Sequence, residues 1–468
     1  MRWLLRSAGA LVLSLLLLLV FPDLSSASVP APDRLWIVGS RAFEDTLYAL
    51  AHRELGRFLE AFPDDPRRGD ALFLRAKAAF ALGRYAEALG EFEAAEFVPL
   101  TLFTPGEPIY WQGEALFKLR RFAEAQERYA RFVRAYPTSS LADDALYARG
   151  WCALELGWLD EALGSFRKLL ADWPESPLAP SAAYALVREL AHAGRWKEAL
   201  PVLETYATRY PGSPWLGEIR YLRGVAEVEV GEVGAGIKTL RRFLEQHQGH
   251  EVAPNARWLL AESLAREKKE REAMAQYRQL ADDFPRHPLA SRALFQAGEL
   301  ARQLGLAKDA EGAWEALRSG YPDDPLTVRA GLQMADFYFK RRLWARALET
   351  AQGLVDGPAE VGLEAALLAG ESALKLGRQP TARTAFEAAL TRAVPGSPEA
   401  FRARAGLALV HEATGELAKA REAYQAIVEE ADDQELVRWA KARLAGVRAQ
   451  EKKLEKPPHK AAPPGKPK

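Results

Sequence analysis

Between Asp143 and Pro174 the apolar residues fall into two helical stripes. Ala145, Leu146, Ala153 and Leu154 mark the apolar face of a first helix, and Gly157 interrupts it. Leu159, Ala162, Leu163, Phe166, Leu169 and Leu170 then recur at three- and four-residue spacing, which predicts a second amphipathic helix. Pro174 ends that helix, because proline lacks the N–H that a helix interior needs. The same order returns along the chain. Prolines stand at 137, 174 and 211, then at 285 and 322, a step of 37 with Gln248 in the missing slot. Pro63, Pro99, Pro358 and Pro395 keep the spacing to within one residue. A fixed period of this length predicts stacked supersecondary units.

Two residues beyond these prolines stand Asp65, Ser139, Ser176, Ser213, Asp324 and Ser397. Their short side-chain oxygens suit the N-cap of the next helix. Pro66, Pro177, Pro214, Pro325 and Pro398 follow in the slot expected for the first helical position. The Ser-Pro and Asp-Pro pairs are therefore read as punctuation between helices and not as chemistry.

Other marks keep the same register. Small residues stand 24 before each anchor (Gly39, Gly113, Gly150, Gly224, Gly298) and 12 before it (Ala125, Ala162, Ala199, Ala273, Ala310). Bulky residues stand 8 before it (Tyr129, Phe166, Leu203, Tyr277, Trp314). This set resembles the tetratricopeptide repeat, in a 37-residue form longer than the family's usual unit. The resemblance implies an all-α, right-handed superhelical solenoid over residues 29–450. About eleven helix pairs are expected, with a C-terminal capping helix near Gln434 to Lys453. The code fails at Glu93 to Pro108 and at Phe243 to Pro254, where local breaks are expected. The Tyr-Pro-x-Ser unit is also similar to exported bacterial members that work with the Tol-Pal envelope system or in outer-membrane protein assembly. Neither the heptads of the first nor the lipidated cysteine of the second is present. Only the class carries over, a periplasmic scaffold for protein–protein interaction.

Two ends of the chain change this picture. Arg2 and Arg6 precede an apolar run from Ala8 to Phe21, then Pro22 and small residues. This is the layout of a Sec-type signal peptide over residues 1–28, cleaved after Ala27 or Ser28, and it implies a periplasmic protein. Residues 451–468 hold six Lys against two Glu and several prolines, and are read as a disordered tail. Formal net charge is zero overall, so no basic excess points to nucleic acid. The single cysteine, Cys152, excludes an internal disulfide and is read as a buried thiol inside a helix.

The search for chemistry finds little. His247 and His250 lie close together without a third ligand. The stretch GEVGAGIKT, residues 231–239, lacks the strand and the Gly-Lys pair of a phosphate loop. No catalytic residue, metal or cofactor is assigned. One periodic feature remains. Trp36, Phe73, Tyr110, Tyr147, Tyr184, Tyr221, Trp258 and Phe295 follow one another at a strict 37-residue step on the first helix of each pair. The resemblance implies that first helices line the inner, concave surface. The rings then either pack repeat on repeat or line a groove for an extended peptide or helix. In the second reading Tyr110, Tyr147, Tyr184, Tyr221, Trp258 and Phe295 contact the partner, and Glu114, Arg188, Glu262 and Glu299, one turn on, orient it. The expectation is a non-catalytic scaffold for protein or peptide partners of a cell-envelope complex, in outer-membrane assembly, cell-wall work or division. It meets a membrane only through a partner or an uncleaved N-terminus. The alternative is a helical subunit that positions a cell-wall enzyme.

Overall fold

The computed structural model describes residues 31–455, all helix, turn and loop. The expected signal peptide and the end of the Lys/Pro tail lie outside the described residues. The helices are α1 (Ala31–Glu44), α2 (Tyr48–Ala61), α3 (Arg68–Ala81), α4 (Tyr85–Glu96), α5 (Glu107–Lys118), α6 (Phe122–Ala135), α7 (Ala142–Glu155), α8 (Leu159–Asp172), α9 (Ala179–His192), α10 (Trp196–Arg209) and α11 (Leu216–Glu229). They continue as α12 (Val233–Gln246), α13 (Ala253–Arg266), α14 (Glu270–Asp283), α15 (Leu289–Gln303), α16 (Ala307–Gly320), α17 (Pro325–Lys340), α18 (Trp344–Gln352), α19 (Ala359–Lys375), α20 (Gln379–Arg392), α21 (Pro398–Ala413), α22 (Leu417–Glu430) and α23 (Gln434–Glu455). The fold is all-α: eleven consecutive pairs and a final helix. That final helix runs to Glu455, five residues into the stretch read as tail. Among the described residues no helix is long and apolar enough to cross a membrane.

The periodic marks explain the packing inside a pair. In α7 and α8 a Cβ on Gly150 would lie 2.5 Å from the Phe166 ring, so the small residue makes room for the bulky one. Gly298 and Trp314 repeat this in α15 and α16, with a distance of 2.2 Å. The turn inside each pair needs one left-handed residue, usually glycine, as at Gly157 (φ +74) and Gly194 (φ +68). Arg120 and Lys268 hold that slot with φ near +59 and +57.

The chain divides into two compact units at Ile219/Arg220, within α11. The first buries Phe58, Phe73, Phe92, Tyr129, Phe132, Phe166 and Tyr206. The second buries Phe243, Trp314, Phe386 and Tyr424. Ion pairs between residues 31 apart tie successive second helices, such as Arg167–Glu198 (2.5 Å) in the first unit and Arg278–Asp309 (3.0 Å) in the second. Each is half-exposed and worth about 0–1 kcal/mol.

The capping expectation needs correction. Asp324 and Ser397 are N-caps, accepting from Leu326 N (2.8 Å) and Ala400 N (3.2 Å), with Pro325 and Pro398 at the first helical position. Asp65, Ser139, Ser176 and Ser213 instead stand at the head of a turn just before the helix. Each accepts the backbone N–H two residues on, as Ser176 does from Leu178 (3.0 Å). Pro66, Pro177 and Pro214 lie inside that turn. His250 and His287 occupy the same register and do the same with Nδ1, accepting from Val252 (3.3 Å) and Leu289 (3.2 Å).

This also removes the break expected at Phe243 to Pro254. The connection from α12 to α13, residues 247–252, matches the regular one at 136–141. His247 takes the aromatic slot of Tyr136 and Tyr210 and stacks on Phe243 (5.3 Å, 28°). The break at Glu93 to Pro108 is real: residues 97–106 form an irregular loop. Fully buried Asp70 accepts from Thr101 N (3.0 Å), Leu102 N (3.1 Å) and the Thr101 hydroxyl, which anchors that loop. A second departure, at α18 and the turn to Pro358, is not marked by the prolines. There α18 has 9 residues and α19 has 17.

Candidate functional site

The aromatic row lies on the first helix of each pair, and each ring packs against neighbouring rings. In the first unit Trp36 meets Phe58 (5.9 Å between centroids) and Phe73 meets Phe92 (5.7 Å). Tyr110 meets Tyr129 (6.0 Å) and Phe132 (5.7 Å), and Tyr147 meets Phe166 (5.9 Å). Tyr184 stacks on Trp215 (5.1 Å, 10°) and donates its hydroxyl to Glu218 (2.7 Å). In the second unit Tyr221 meets Phe243 (6.1 Å) and Trp258 meets Tyr277 (5.1 Å). Phe295 packs against the cluster that contains Trp314. Phe73 (0% exposed) and Tyr110 (8%) are core residues, whereas Tyr147, Tyr184, Tyr221, Trp258 and Phe295 are half-buried. Trp36 is half-buried as well, so packing and accessibility coexist in six of the rings.

The row has two polar flanks. One turn after the rings stand Ser40, Lys77, Glu114, Trp151, Arg188, Val225, Glu262 and Glu299, and Asp336 follows Leu332 in the next repeat. Glu114 accepts from the Tyr129 hydroxyl (2.8 Å), and Glu299 pairs with Arg302 (2.9 Å). Arg188 pairs with Glu189 (2.8 Å) and lies over Trp151 (5.6 Å to the centroid). Burial, and after it the charge of half-buried Glu262, raise the pKa of the Tyr277 phenol above its usual value. Three residues before each ring stand Asp33, Asp70, Glu107, Asp144, Ser181 and Glu218 in the first unit, then Asn255 and Arg292 in the second, and Arg329 precedes Leu332 in the next repeat.

Two flank residues carry unusual electrostatics. Lys77 Nζ lies over Trp111 (4.9 Å), Phe73 (5.4 Å), Phe43 (5.7 Å) and Phe103 (5.7 Å). Burial among these rings holds its pKa below the usual lysine value. The Asp144 carboxyl is pushed up to about 6, first by burial and then by the charges of Asp143 and Glu114. Periodicity does not reveal the Lys77 box, because Phe43 and Phe103 lie off the 37-residue register. The earlier flank was readable from the sequence, as a column three residues before the rings.

In the second unit a cleft of ≈ 610 Å³ opens beside the row. Phe295, Leu332 and Val361 give it an apolar floor, and Arg329, Glu360, Glu364 and Glu399 line its walls. Leu332 stands one period after Phe295, so the cleft continues the row. These elements offer rings, an apolar floor and paired charges to a bound chain.

A family model described as tetratricopeptide repeat matches residues 39–99, 110–177, 159–214, 221–288, 332–398 and 367–435, well over half of the sequence. The chain belongs to the tetratricopeptide-repeat family. No curated protein sequence matches it. Among solved structures it is similar to Naa15/Naa10 bound to HypK-THB, with 17% identity and a TM-score of 0.44. That match covers 90% of this chain and 66% of the other, just under two thirds of its length. It is also similar to the C-terminal part of a repeat-containing protein from Cytophaga hutchinsonii, with 14% identity, 55% and 98% coverage and a TM-score of 0.40. A tetratricopeptide repeat protein from Parabacteroides merdae matches with 18% identity, 57% and 98% coverage and a TM-score of 0.34.

Tetratricopeptide repeats are protein–protein interaction scaffolds, and the fold is typical of non-catalytic ones. The residues weighed as chemistry take repeat positions. Residues 231–239 are the turn at Gly231 and the start of α12. His247 Nε2 sits 2.9 Å from Arg220 Nη1, and burial, Arg220 and His250 hold its pKa below the usual range. Cys152 is fully buried, and burial pushes its thiol up to about 12, which makes it inert at neutral pH.

Proposed function

We propose that this tetratricopeptide-repeat protein is exported to the bacterial periplasm. There it holds protein or peptide partners of a cell-envelope complex along the aromatic row. The observation that carries the reading is the row itself: half-buried rings at one register position, each with a charged residue three before it or one turn after it. A ring fixed by packing on one side loses little freedom on binding, which favours affinity. The charged flanks supply orientation and partner choice. The Arg2/Arg6 start, the apolar run and the Ser-Ala-Ser end of residues 1–28 support export.

Photo-cross-linking in the native host tests both parts. A photoreactive residue at Arg188 or Gln333, beside the row, is expected to capture exported proteins. The same residue at exposed Glu204 on a second helix is expected to capture none of them. Equal capture from all three positions contradicts the row as the binding surface. Intact mass of the protein from the periplasmic fraction is expected to lack residues 1–27 or 1–28, and full-length chain in washed membranes argues for an anchor instead.

A further inference from the structure

We propose that His52, Glu87 and Glu91 form a site for a divalent metal ion of the zinc class. His52 lies on α2, and Glu87 and Glu91 lie one turn apart on the same face of α4. His52 Nε2 stands 3.1 Å from Glu87 Oε1 and 3.6 Å from Glu91 Oε1. The three potential ligand atoms lie within 4.8 Å of one another, and no other such group of three occurs among the described residues. Zinc bonds of about 2.0–2.2 Å in a tetrahedral site place ligand atoms roughly 3.3–3.6 Å apart. The side chains are therefore already gathered at nearly the separations an ion demands.

A second observation points to a ligand. Glu91 is only 9% exposed, and its Oε2 has no hydrogen-bond partner. His52 Nε2, also shielded from solvent, makes no hydrogen bond despite its two carboxylate neighbours. Buried polar atoms in this condition are costly, and a bound cation satisfies them together. Arg75 Nη2 lies 2.8 Å from Glu91 Oε1. It balances part of the acidic charge and orients the carboxylate, the part an outer-shell partner plays, while Glu91 keeps an unpartnered oxygen to offer an ion. Arg84 Nη1 is 3.7 Å from Glu87 Oε2, at the outer edge. Glu87, with its side chain 42% exposed, gives the ion a way in and leaves room for a water ligand.

The site's place in the fold suggests its role. α2 and α4 are the second helices of the first two pairs, so an ion here fastens one repeat to the next. It stabilises the early repeats and is separate from the aromatic row.

The test uses the tag-free full chain, stripped with chelator. Zinc is titrated by calorimetry and cobalt by its visible absorption. One equivalent is expected to bind, and zinc is expected to raise the thermal midpoint in a concentration-dependent way. His52→Ala, Glu91→Gln and Glu87→Gln are each expected to weaken binding by more than the roughly 10–100-fold that loss of an outer-shell partner costs. His250→Ala is expected to bind as the parent does. Glu87 is partly exposed, so its variant keeps the test valid if the others fail to fold. No binding at millimolar zinc overturns the site, as does unchanged stoichiometry and affinity in Glu87→Gln.

Discussion

The first and second units present the same ring at the same step, yet the charges beside it change sides. Three residues before the ring the first unit carries Asp33, Asp70, Glu107, Asp144 and Glu218, and the second carries Arg292, with Arg329 in the same slot before Leu332. One turn after it the first unit has Lys77 and Arg188 around Glu114, and the second has Glu262 and Glu299, with Asp336 in the same slot after Leu332. The ring's place is dictated by packing, because the facing second helix leaves only one way to fill the space. The flanking positions are under no such demand and are free to differ. Some are spent on structure: Asp33 pairs with Arg67 (2.8 Å), Asp70 anchors the 97–106 loop, and Glu218 accepts from Tyr184. Others are available to a partner. Asp144 feels the acidic charges of Asp143 and Glu114, and Arg292 lies over Trp258 (5.1 Å). The repeat supplies the same row position in each unit, and the flanks make the two units distinct.

Depth in the row provides the largest contrast. Phe73→Ala removes a fully buried ring and is expected to cost about 3–5 kcal/mol. Phe295→Ala, at the edge of the cleft, is expected to cost about 1 kcal/mol. Urea denaturation of the two variants checks this, and equal losses erase the distinction between core and surface members.

Charge gives the next. Asp144 holds its proton more tightly when folded, so stability that is full below its unfolded pKa, near 4, is lost as pH rises through about 6. Asp144→Asn is therefore expected to raise stability at pH 7 by about 1 kcal/mol, with solvent screening allowed for, and to leave it unchanged at pH 3.5. Thermal midpoints at the two pH values test the sign. A gain of the same size at both shows that the carboxyl's charge is not the cause.

The smallest effect concerns a slot where the units are expected to agree. Arg120 and Lys268 occupy the left-handed turn position that glycine fills elsewhere. Arg120→Gly and Lys268→Gly are each expected to stabilise by roughly 0.5–1 kcal/mol. Opposite signs in the two units show that the turns are not equivalent.

The fold was legible because its marks repeat. The Gly150 and Phe166 contact is a steric necessity that recurs at Gly113 with Tyr129 and at Gly298 with Trp314, and the proline spacing fixes the helix ends. What escaped reading was a change of residue within a kept position. His250 and His287 do the work of serine through Nδ1, which an alphabet of Ser, Asp and Asn misses. His247 replaces an aromatic by stacking as one. The short α18 escaped because the proline marks on either side kept their spacing. The aromatic row was legible as a column, but its depth was not: Phe73 and Phe295 look alike in sequence, and only the neighbouring loop and helices bury the first. Lys77 shows the limit most clearly, since its box takes Phe103 from the irregular loop. His52, Glu87 and Glu91 lie 35 and 39 residues apart, close to one period, so a scan for ligand types at that separation finds them.

The central claim is that half-buried members of the row bind a partner as well as pack. The direct measurement is calorimetric titration of the cross-linked partner into the parent protein, Tyr147→Ala and Tyr184→Ala, with thermal unfolding of each recorded alongside. The account predicts at least about tenfold weaker binding, or about 1.4 kcal/mol, for each variant, with moderate loss of stability. Large destabilisation of both variants, with the parent's affinity kept by the folded fraction, contradicts it and makes the row a packing device alone.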